Sequence, residues 1–508
     1  MLERLASSVL CVGFEGATPE EAPLEALADL APGGIVLFAR NVRDVASTRV
    51  LVDAATAAIG GDVPAAVAID QEGGRVARLR VGATQMPAMM AVGASGDTEL
   101  ARCAGLALAG DLRRAGCTVN FAPCADLALE PASTTVGARA FGDDPVRVGL
   151  FAAAFVRGSQ AGGVAATLKH FPGHGATAED SHIVLPAADT SLATLRARDL
   201  VPFERGIAAG AKAVMSAHVV VRALDADRPA TLSRAVLTDL LRGELGFKGA
   251  CFTDCMEMDA IASGVGTAQG AVFALQAGAD CVLISHHLEI ARATRDAIVE
   301  AVSSGALSLG RLEEAARRVG ELRAWKAAPG PKIDGAAVAR EIARRAVTRV
   351  RGSIRLDPAI PVTVVSFEGI TFEGAQGRHE DHASLHSALR ARGFRSESYR
   401  APLEPRSDAL ENLVDLVRAQ AGRQFIFVLR RAHCYPAQRV AVEALLVVAP
   451  EALAVSVREP FDAMLFERAR HVACTYGDEE VSIDALADAI SGRSEADGVM
   501  PVRFASIA

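Results

Sequence analysis

The sequence predicts an α/β protein, a (β/α)8 barrel of the TIM type followed by a C-terminal α/β sandwich domain. The chain has 508 residues, more than one hydrophobic core usually supports. Over its first two-thirds, short apolar runs alternate with amphipathic stretches. Runs that are apolar throughout are typical of parallel strands covered by helices on both faces. An open doubly wound sheet is the second candidate, because alternation alone does not require a barrel.

Eight apolar runs are strand candidates, which is the number that a barrel needs. They are residues 8–14, 34–39, 65–69, 118–122, 164–168, 213–216, 249–253 and 280–285. The clearest helix candidates between them are residues 44–59, 99–115, 145–160, 192–209 and 234–244.

Residues 327–332 (AAPGPK) have the composition of a linker. We therefore expect a barrel catalytic domain over 1–328, a linker and connecting helix over 329–352, and the sandwich over 353–508. A basic amphipathic helix is predicted over 335–351, with its charges facing solvent. Beyond it, the predicted strands are 362–366, 425–429, 454–457 and 471–475, and the predicted helices are 385–392, 407–419, 436–449 and 482–490.

Charge and cysteine usage narrow the functional class. A net charge of −8 argues against non-specific nucleic-acid binding, which needs a basic face. The nine cysteines form no C-x-x-C pair and lie mostly in apolar runs, as expected for reduced thiols. Glycine, serine and glutamine interrupt the uncharged run 260–279, so we expect a soluble helix there and no membrane span. These features predict a cytoplasmic protein.

Polar residues follow the strand candidates at the end where a barrel carries its active site. They are Asp70, Asn120, Lys169, His170, His218 and Asp254. Strands often end in a polar residue, which explains one or two of these. Five strands that end in Asp, Asn, Lys or His are better explained by a shared site.

Residues 169–182 (KHFPGHGATAEDSH) hold three histidines and two acids in what we expect to be a loop. The spacing of Asp180 and His182 lets the carboxylate accept an imidazole N–H, and such a pair can act as general acid and then base. A metal site is the weaker alternative, because the His-x-x-x-His spacing binds metals chiefly on a helix and Pro172 opposes one. Its candidate ligands are His170, His174, Asp180 and His182.

Two further motifs carry carboxylates. In residues 68–78 (AIDQEGGRVAR), Asp70 beside arginines suits the recognition of hydroxyl groups, with a structural ion pair as the alternative. Asp254 ends the seventh strand candidate and is a candidate nucleophile for a sugar anomeric carbon, with a helix N-cap as the alternative. Arg139 and His218 are candidate substrate contacts, although a buried, hydrogen-bonded histidine explains His218 equally well.

The motifs at 70–76, 169–182 and 253–254 resemble the β-N-acetylglucosaminidase branch of glycoside hydrolase family 3. The K-H-F-P-G-H-G…D-S-H pattern is the most specific part of this resemblance. The similarity covers residues 13–259 and, more weakly, 458–462, 475–477 and 498–502. At the nucleophile, the family often has Ser-Asp-Asp-Leu, whereas this chain has TDCM at 253–256, so Cys255 replaces the second carboxylate.

The resemblance implies a retaining mechanism in which Asp254 is the nucleophile and His182 is the acid/base, with Asp180 as its partner. It implies neither a metal nor another cofactor. It also implies seven positions that hold the terminal N-acetylglucosamine: Asp70, Arg75, Arg78, Arg139, Lys169, His170 and His218.

We therefore expect an exo-acting β-N-acetylglucosaminidase that acts on small carbohydrates, including cell-wall muropeptide fragments, and binds neither nucleic acid nor membranes. Three alternatives stay open at this point. They are a phosphorylase that passes the sugar to phosphate, a β-glucosidase, and a non-catalytic sugar-binding protein on the same scaffold.

Overall fold

Eight parallel strands close into a barrel in the N-terminal part of the computed structural model, which describes residues 1–177, 185–327, 330–369, 371–373, 377–379 and 384–504. The strands are β1 (Leu10–Val12), β2 (Gly34–Leu37), β3 (Ala66–Ile69), β4 (Val119–Asn120), β5 (Ala165–Phe171), β6 (Ala213–Ser216), β7 (Ala250–Cys255) and β8 (Cys281–Ile284). Each strand pairs with its neighbours along the chain, and β1 pairs with β8 to close the barrel. The predicted barrel is confirmed, and the open sheet is excluded.

Helices surround this barrel. The α-helices are Leu2–Ser7, Leu24–Leu30, Val45–Ile59, Met89–Ala94, Thr98–Arg114, Pro145–Ala161, Leu192–Thr194, Val201–Ala208, Asp259–Ala262, Thr267–Ala277, Leu288–Ser303 and Leu309–Ala324. Two π-helical segments are Leu195–Asp199 and Ala235–Glu244, and short 3-10 turns are Ala39–Asn41, Gly137–Arg139 and Ala230–Leu232.

The strand side chains alternate between two hydrophobic clusters, as the two-residue period of a strand requires. In β2, Val36 belongs to the cluster inside the barrel, whereas Ile35 and Leu37 pack against the surrounding helices. Both faces are therefore apolar, which explains why the strands appear in the sequence as continuous apolar runs.

Two strands extend further than predicted, and both carry site residues. β5 continues through Lys169 and His170 to Phe171, so the expected loop begins later than residue 169. The polarity of Lys169 predicts the end of the strand at Leu168, but the side chains of Lys169 and His170 are both buried. Asp254 lies within β7, and the next helix begins at Asp259 with Met258 as its N-cap residue. The N-cap interpretation of Asp254 is therefore wrong.

A separate six-stranded sheet forms the C-terminal sandwich. Its strands are β9 (Thr348–Arg351), β10 (Val362–Glu368), β11 (Ser396–Pro402), β12 (Gln424–Leu429), β13 (Leu453–Ser456) and β14 (His471–Cys474), in the spatial order β9-β14-β13-β12-β10-β11. All pairs are parallel except β9 with β14. The four predicted strands are confirmed. The predicted helix over 335–351 ends at Ala346, and 348–351 is the edge strand β9.

The other helices of this region cover the sheet on both faces. They are Gly335–Ala346, Leu385–Ala391, Ser407–Ala419, Pro436–Val448 and Glu480–Ile490, with a 3-10 turn at Pro460–Met464 and a small hairpin of Thr371–Glu373 and Gly377–His379. One hydrophobic cluster continues from the barrel into the sandwich and includes Met89, Phe141, Phe427 and Tyr476. The two units are therefore packed through a shared core.

No helix in the described part of the chain is long and apolar enough to cross a membrane. All nine cysteines lie in that part, and all are free thiols.

Candidate active site

A cavity of ≈ 260 Å³ lies at the carboxyl ends of the barrel strands. The side chains that β3, β5 and β7 deliver to it include Asp70, Lys169, His170 and Asp254. Its other lining residues are Phe38, Arg78, Phe121, Thr135, Arg139, Met215, Cys255, Glu257, Met258, Asp259, Leu283, Ser285 and His286. The structure thus brings together six of the residues that the sequence analysis proposed for the site.

A buried carboxylate beneath the cavity, Glu72, connects its two innermost cations. Arg139 donates to Glu72 through Nε (3.0 Å) and Nη2 (2.7 Å), a two-point interaction that fixes the guanidinium plane. Lys169 Nζ lies 2.6 Å from the same carboxylate. Arg139 Nη1 also donates to the Thr135 carbonyl at 2.6 Å. Both cations are therefore held in place before a ligand binds.

The mutual attraction of Glu72 and its cations keeps these buried side chains charged. Burial opposes ionisation of Glu72, but Arg139 and Lys169 outweigh it and lower its pKa to about 2. Burial likewise opposes the charge on Lys169, but Asp70 and Glu72 raise the pKa of its ammonium group. At neutral pH the cavity floor consequently presents fixed charges, which suit hydroxyl and amide groups of a sugar.

Asp70 is more exposed than Lys169 and Glu72 and pairs with two cations. Its Oδ1 accepts from Lys169 Nζ at 2.7 Å, and its Oδ2 lies 3.8 Å from Arg78 Nη2. Arg78 is positioned by Gln71, whose Oε1 accepts from the backbone N–H groups of Arg78 and Leu79, both at 2.9 Å. A short antiparallel hairpin after β3 carries these residues.

His170 is oriented by Asp126, a buried residue of the segment that follows β4. Asp126 Oδ2 lies 2.7 Å from His170 Nδ1 and accepts the His170 backbone N–H at 3.0 Å. The second oxygen accepts the His174 backbone N–H at 2.7 Å. Burial opposes ionisation of Asp126, but His170 and His174 lower its pKa well below the usual range. The carboxylate accepts from His170 Nδ1, so the Nε2 side of the ring is available to face a ligand.

Asp254 is partly exposed in the cavity, and its carboxylate accepts the Cys255 backbone N–H at 2.8 Å. His218, which lies in the chain after β6, contacts the backbone next to Asp254. Its Nε2 is 2.9 Å from the Cys255 carbonyl, and a carbonyl only accepts, so Nε2 carries the proton. His218 Nδ1 lies 2.9 Å from the Thr231 hydroxyl.

Cys255, Glu257 and His286 lie at the rim with metal-binding atoms within 4.8 Å of one another. Burial raises the pKa of the Cys255 thiol to about 11, so the thiol is protonated at neutral pH. Arg40 Nη1 lies 3.4 Å from His286 Nδ1 and places a positive charge beside the same group. A bound cation would have to displace both a proton and this guanidinium.

Arg75 and His218 lie apart from the cavity, and the described lining residues include neither. Arg75 Nη2 instead pairs with Asp478 of the sandwich at 2.9 Å.

Asn120, the polar end of β4, exchanges two hydrogen bonds with the Gln71 backbone and thereby supports the hairpin. Asp180 and His182 lie outside the described residues. His174 is buried and lies 2.7 Å from the Thr177 hydroxyl, and burial lowers its pKa to about 4.

Comparison with known proteins identifies this arrangement. A model of the glycosyl hydrolase family 3 N-terminal domain matches residues 5–322. The chain belongs to glycoside hydrolase family 3. A β-hexosaminidase of Stenotrophomonas maltophilia is 41% identical over 286 residues, which are 55% of this chain and 83% of that protein. A β-hexosaminidase of Pseudomonas aeruginosa is 45% identical over 254 residues, 50% of this chain and 74% of that protein.

A solved family 3 structure matches the whole chain. It is a β-N-acetylglucosaminidase from Paenibacillus sp. FPU-7, with a TM-score of 0.92, 32% sequence identity and coverage of 99% of both chains. The barrel and the sandwich of this family 3 protein therefore occur together, in the same arrangement, in a solved relative.

Two buried residues of this family 3 site, Glu72 and Asp126, were not among the predicted site residues. Glu72 lies inside the motif at 68–78, two residues after Asp70, where the alternation of a strand would place it on the same side as Asp70. Asp126 follows β4 by six residues in an irregular segment, and no local pattern connects it with His170.

Proposed function

We propose that this chain is a retaining exo-β-N-acetylglucosaminidase. The observation that carries the proposal is the position of Asp254, a carboxylate at a strand end that shares one small cavity with Asp70, Arg139, Lys169 and His170. The cavity is smaller than the roughly 300–1,000 Å³ typical of pockets for drug-sized ligands, which suits one terminal sugar unit. The substrate assignment is supported by the names of the Stenotrophomonas and Paenibacillus relatives.

In the first chemical step, an oxygen of Asp254 attacks the anomeric carbon of the terminal N-acetylglucosamine. The bond to the leaving-group oxygen breaks with its electron pair, and the His182 imidazolium donates a proton to that oxygen. A glycosyl ester on Asp254 and a neutral imidazole result. The roles of His182 and Asp180 come from the sequence motif.

In the second step, His182 removes a proton from water as the water oxygen attacks the anomeric carbon from the opposite side to Asp254. The ester bond breaks, and Asp254 is again a carboxylate. Asp180 is assigned, from the sequence motif, to stabilise the charged form of the imidazole in both steps. Two inversions leave the β configuration unchanged.

Sugar recognition is assigned to the fixed charges of the cavity floor. Asp70 accepts hydrogen bonds from sugar hydroxyls, whereas Lys169 and Arg139 donate to hydroxyl or acetamido oxygens. His170 donates or accepts through Nε2. Because Glu72 and Asp126 hold these groups beforehand, little side-chain entropy is lost when the sugar binds.

We further propose that the physiological substrates are cell-wall muropeptide fragments and that the protein works in the cytoplasm. Nine free cysteines support a reducing compartment. The net charge of −8 argues against nucleic acid as the ligand.

The test uses 4-nitrophenyl β-N-acetylglucosaminide with the wild type, Asp254→Ala and, as a matched control, Asp239→Asn, an exposed carboxylate outside the cavity. We expect Asp254→Ala to lose roughly 10⁴-fold or more in kcat/KM, and added azide to restore turnover with an α-configured product. The control should retain wild-type activity. Near-normal activity of Asp254→Ala would refute the nucleophile assignment.

Three further measurements separate the alternatives. Free N-acetylglucosamine in phosphate buffer supports hydrolysis, whereas the sugar 1-phosphate indicates a phosphorylase. Comparable turnover of the β-glucoside indicates a β-glucosidase. Sugar binding without turnover indicates a binding protein.

A further inference from the structure

Three residues of the sandwich hold the barrel segment that carries Arg139. Residues 121–144 between β4 and the next helix are described throughout and contain one helical turn, Gly137–Arg139. Arg431 Nη2 donates to the Ser133 carbonyl at 3.1 Å. His433 Nε2 lies 2.9 Å from the Pro131 carbonyl, and Glu459 Oε1 accepts the Ala138 backbone N–H at 3.3 Å. We call Arg431, His433 and Glu459 the anchor residues.

The anchor residues are themselves fixed by buried charges. His433 Nδ1 lies 2.6 Å from Asp462 Oδ1. Burial opposes the charge on His433, but its hydrogen bond to Asp462 raises its pKa to about 10, so both ring nitrogens carry protons at neutral pH. Glu459 is buried and lies between Arg431 and Arg458, at 3.5 and 3.7 Å. The side chains of His433 and Glu459 are therefore held in position by charged partners within the sandwich.

The contact is close enough to depend on a glycine. Gly137 has a φ of +44°, and a Cβ at this position would lie 2.4 Å from Glu459 Oε1. Arg431 also has a φ of 54°, which is an uncommon, strained conformation for a residue with a side chain. Gly137 on the barrel side and Arg431 on the sandwich side therefore both have positive φ angles at this contact.

The barrel segment held by the anchor residues carries two residues that line the cavity, Arg139 and Thr135. Arg139 is held at its guanidinium by Glu72, and its backbone ends a single helical turn inside the otherwise irregular segment 121–144. A segment with so little regular structure needs outside contacts to keep one conformation. Thr135, which also lines the cavity, lies in the same segment. The match to the Stenotrophomonas relative covers only 55% of this chain, and that protein's unmatched remainder is too short for a sandwich of this size.

We propose that Glu459, Arg431 and His433 are positioning residues for the sugar subsite. They act through the backbone of residues 131–139, which they fix so that Arg139 and Thr135 face the cavity. The sandwich thus contributes to substrate affinity although none of the described cavity-lining residues belongs to it. This inference rests on the proposed function for its substrate.

The first test compares Glu459→Ala with Glu459→Gln. The alanine variant loses the acceptor for the Ala138 N–H, so we expect KM for the aryl N-acetylglucosaminide to rise roughly tenfold while kcat changes less than about twofold. The glutamine variant keeps an acceptor oxygen and should recover most of the KM. The inhibition constant of N-acetylglucosamine should rise in parallel with KM.

The matched control is Arg392→Gln. Arg392 is a partly buried cation of the sandwich, and its partners Asp484 and Asp488 lie in the same unit. This variant should lower the Tm without changing KM. If Glu459→Ala and Arg392→Gln affect KM alike, the anchor residues have only a structural role and the proposal is refuted.

A double-mutant cycle provides the second test. In an Arg139→Met background, Glu459→Ala should raise KM less than it does in the wild type, because the route through Arg139 has been removed and only the route through Thr135 is left. Independent, multiplicative effects would overturn the proposal. If Glu459→Ala does not fold, Gly137→Ala disturbs the same contact from the barrel side and should show the same KM increase.

Failure of the proposed function would appear differently. The wild type would then not turn over the N-acetylglucosaminide at all, whereas failure of the positioning role leaves wild-type turnover intact and the variant-to-control ratio near one.

Discussion

Lys169 Nζ lies 2.6 Å from Glu72 Oε1, and the same oxygen accepts from Arg139 Nη2 at 2.7 Å. A single buried oxygen thus determines the positions of both cations on the floor of the cavity. Loss of the Glu72 charge would leave two buried cations with one fewer partner, which is costly in a low-dielectric interior. Glu72 is therefore expected to affect both stability and sugar affinity.

Glu72→Gln should change how stability depends on pH. The folded-state pKa of Glu72, about 2, is below its ordinary value of 4.5. Its contribution to stability is therefore complete above about pH 4.5 and is lost as the pH falls toward 2. The difference in unfolding free energy between wild type and Glu72→Gln should shrink by about 2 kcal/mol from pH 5 to pH 3.

Urea unfolding at several pH values measures this difference. A difference that stays constant over the same range would mean that Glu72 has an unperturbed pKa in the folded protein and does not hold the cations as a carboxylate.

His182→Ala should show a strong dependence on the leaving group. Aryl glycosides with acidic phenols leave without protonation, whereas natural sugar alcohols need a proton. We expect a loss of roughly 10³-fold or more on N,N′-diacetylchitobiose and a much smaller loss on the 4-nitrophenyl substrate. An equal loss on both substrates would contradict the acid/base assignment.

His218→Leu distinguishes support of the nucleophile from contact with the sugar. The structure has His218 donating to the Cys255 carbonyl, next to Asp254. We expect kcat to fall roughly tenfold with KM nearly unchanged, because one buried hydrogen bond is worth about 1–3 kcal/mol when only one partner is removed. Partial rescue by His218→Gln, which can still donate, would agree. A rise in KM and weaker binding of N-acetylglucosamine would instead support the sugar contact implied by the family resemblance.

Arg75 and Arg78 form a matched pair for a fourth prediction. They are three residues apart, and their side chains are 10% and 11% exposed, but Arg75 pairs with Asp478 and Arg78 faces Asp70. Arg75→Met should lower the unfolding free energy by about 1–3 kcal/mol with KM unchanged. Arg78→Met should raise KM roughly tenfold with little effect on stability. Denaturation curves and steady-state kinetics on both variants check this prediction. An increase in KM for Arg75→Met would instead support Arg75 as a sugar-binding residue.

The strands of the barrel could be predicted because each is buried on both faces. Residues 213–216 form β6 with the predicted bounds, since an apolar run between turns has no other stable location. The edge strand Ser396–Pro402 was missed because it pairs on one side only and most of its side chains are exposed, so it carries no apolar run. Strand β9 was assigned to the preceding basic helix because two of its four residues are arginines, so it too carries no apolar run.

Side chains in the site were predictable where chemistry and strand ends coincide, as for Asp70 and Asp254. Lys169 could be predicted as a site residue, but its burial could not. The lysine is buried because it pairs with Asp70 and Glu72, which lie 99 and 97 positions away in the chain. The pairing of Arg75 with Asp478 depends on how two units pack, and no local pattern in the sequence encodes that distance.

The hydrophobic cluster that joins Met89 and Phe141 of the barrel to Tyr476 and Val502 of the sandwich has a consequence for the ancestry of the chain. A fragment that ends near residue 328 would expose the barrel half of this cluster to water and is expected to self-associate. We therefore expect gain or loss of the sandwich to be accompanied by substitutions on this part of the barrel surface. Single-domain relatives should carry polar side chains at the positions of Met89 and its neighbours, so these positions would distinguish the two architectures from the sequence of the barrel alone.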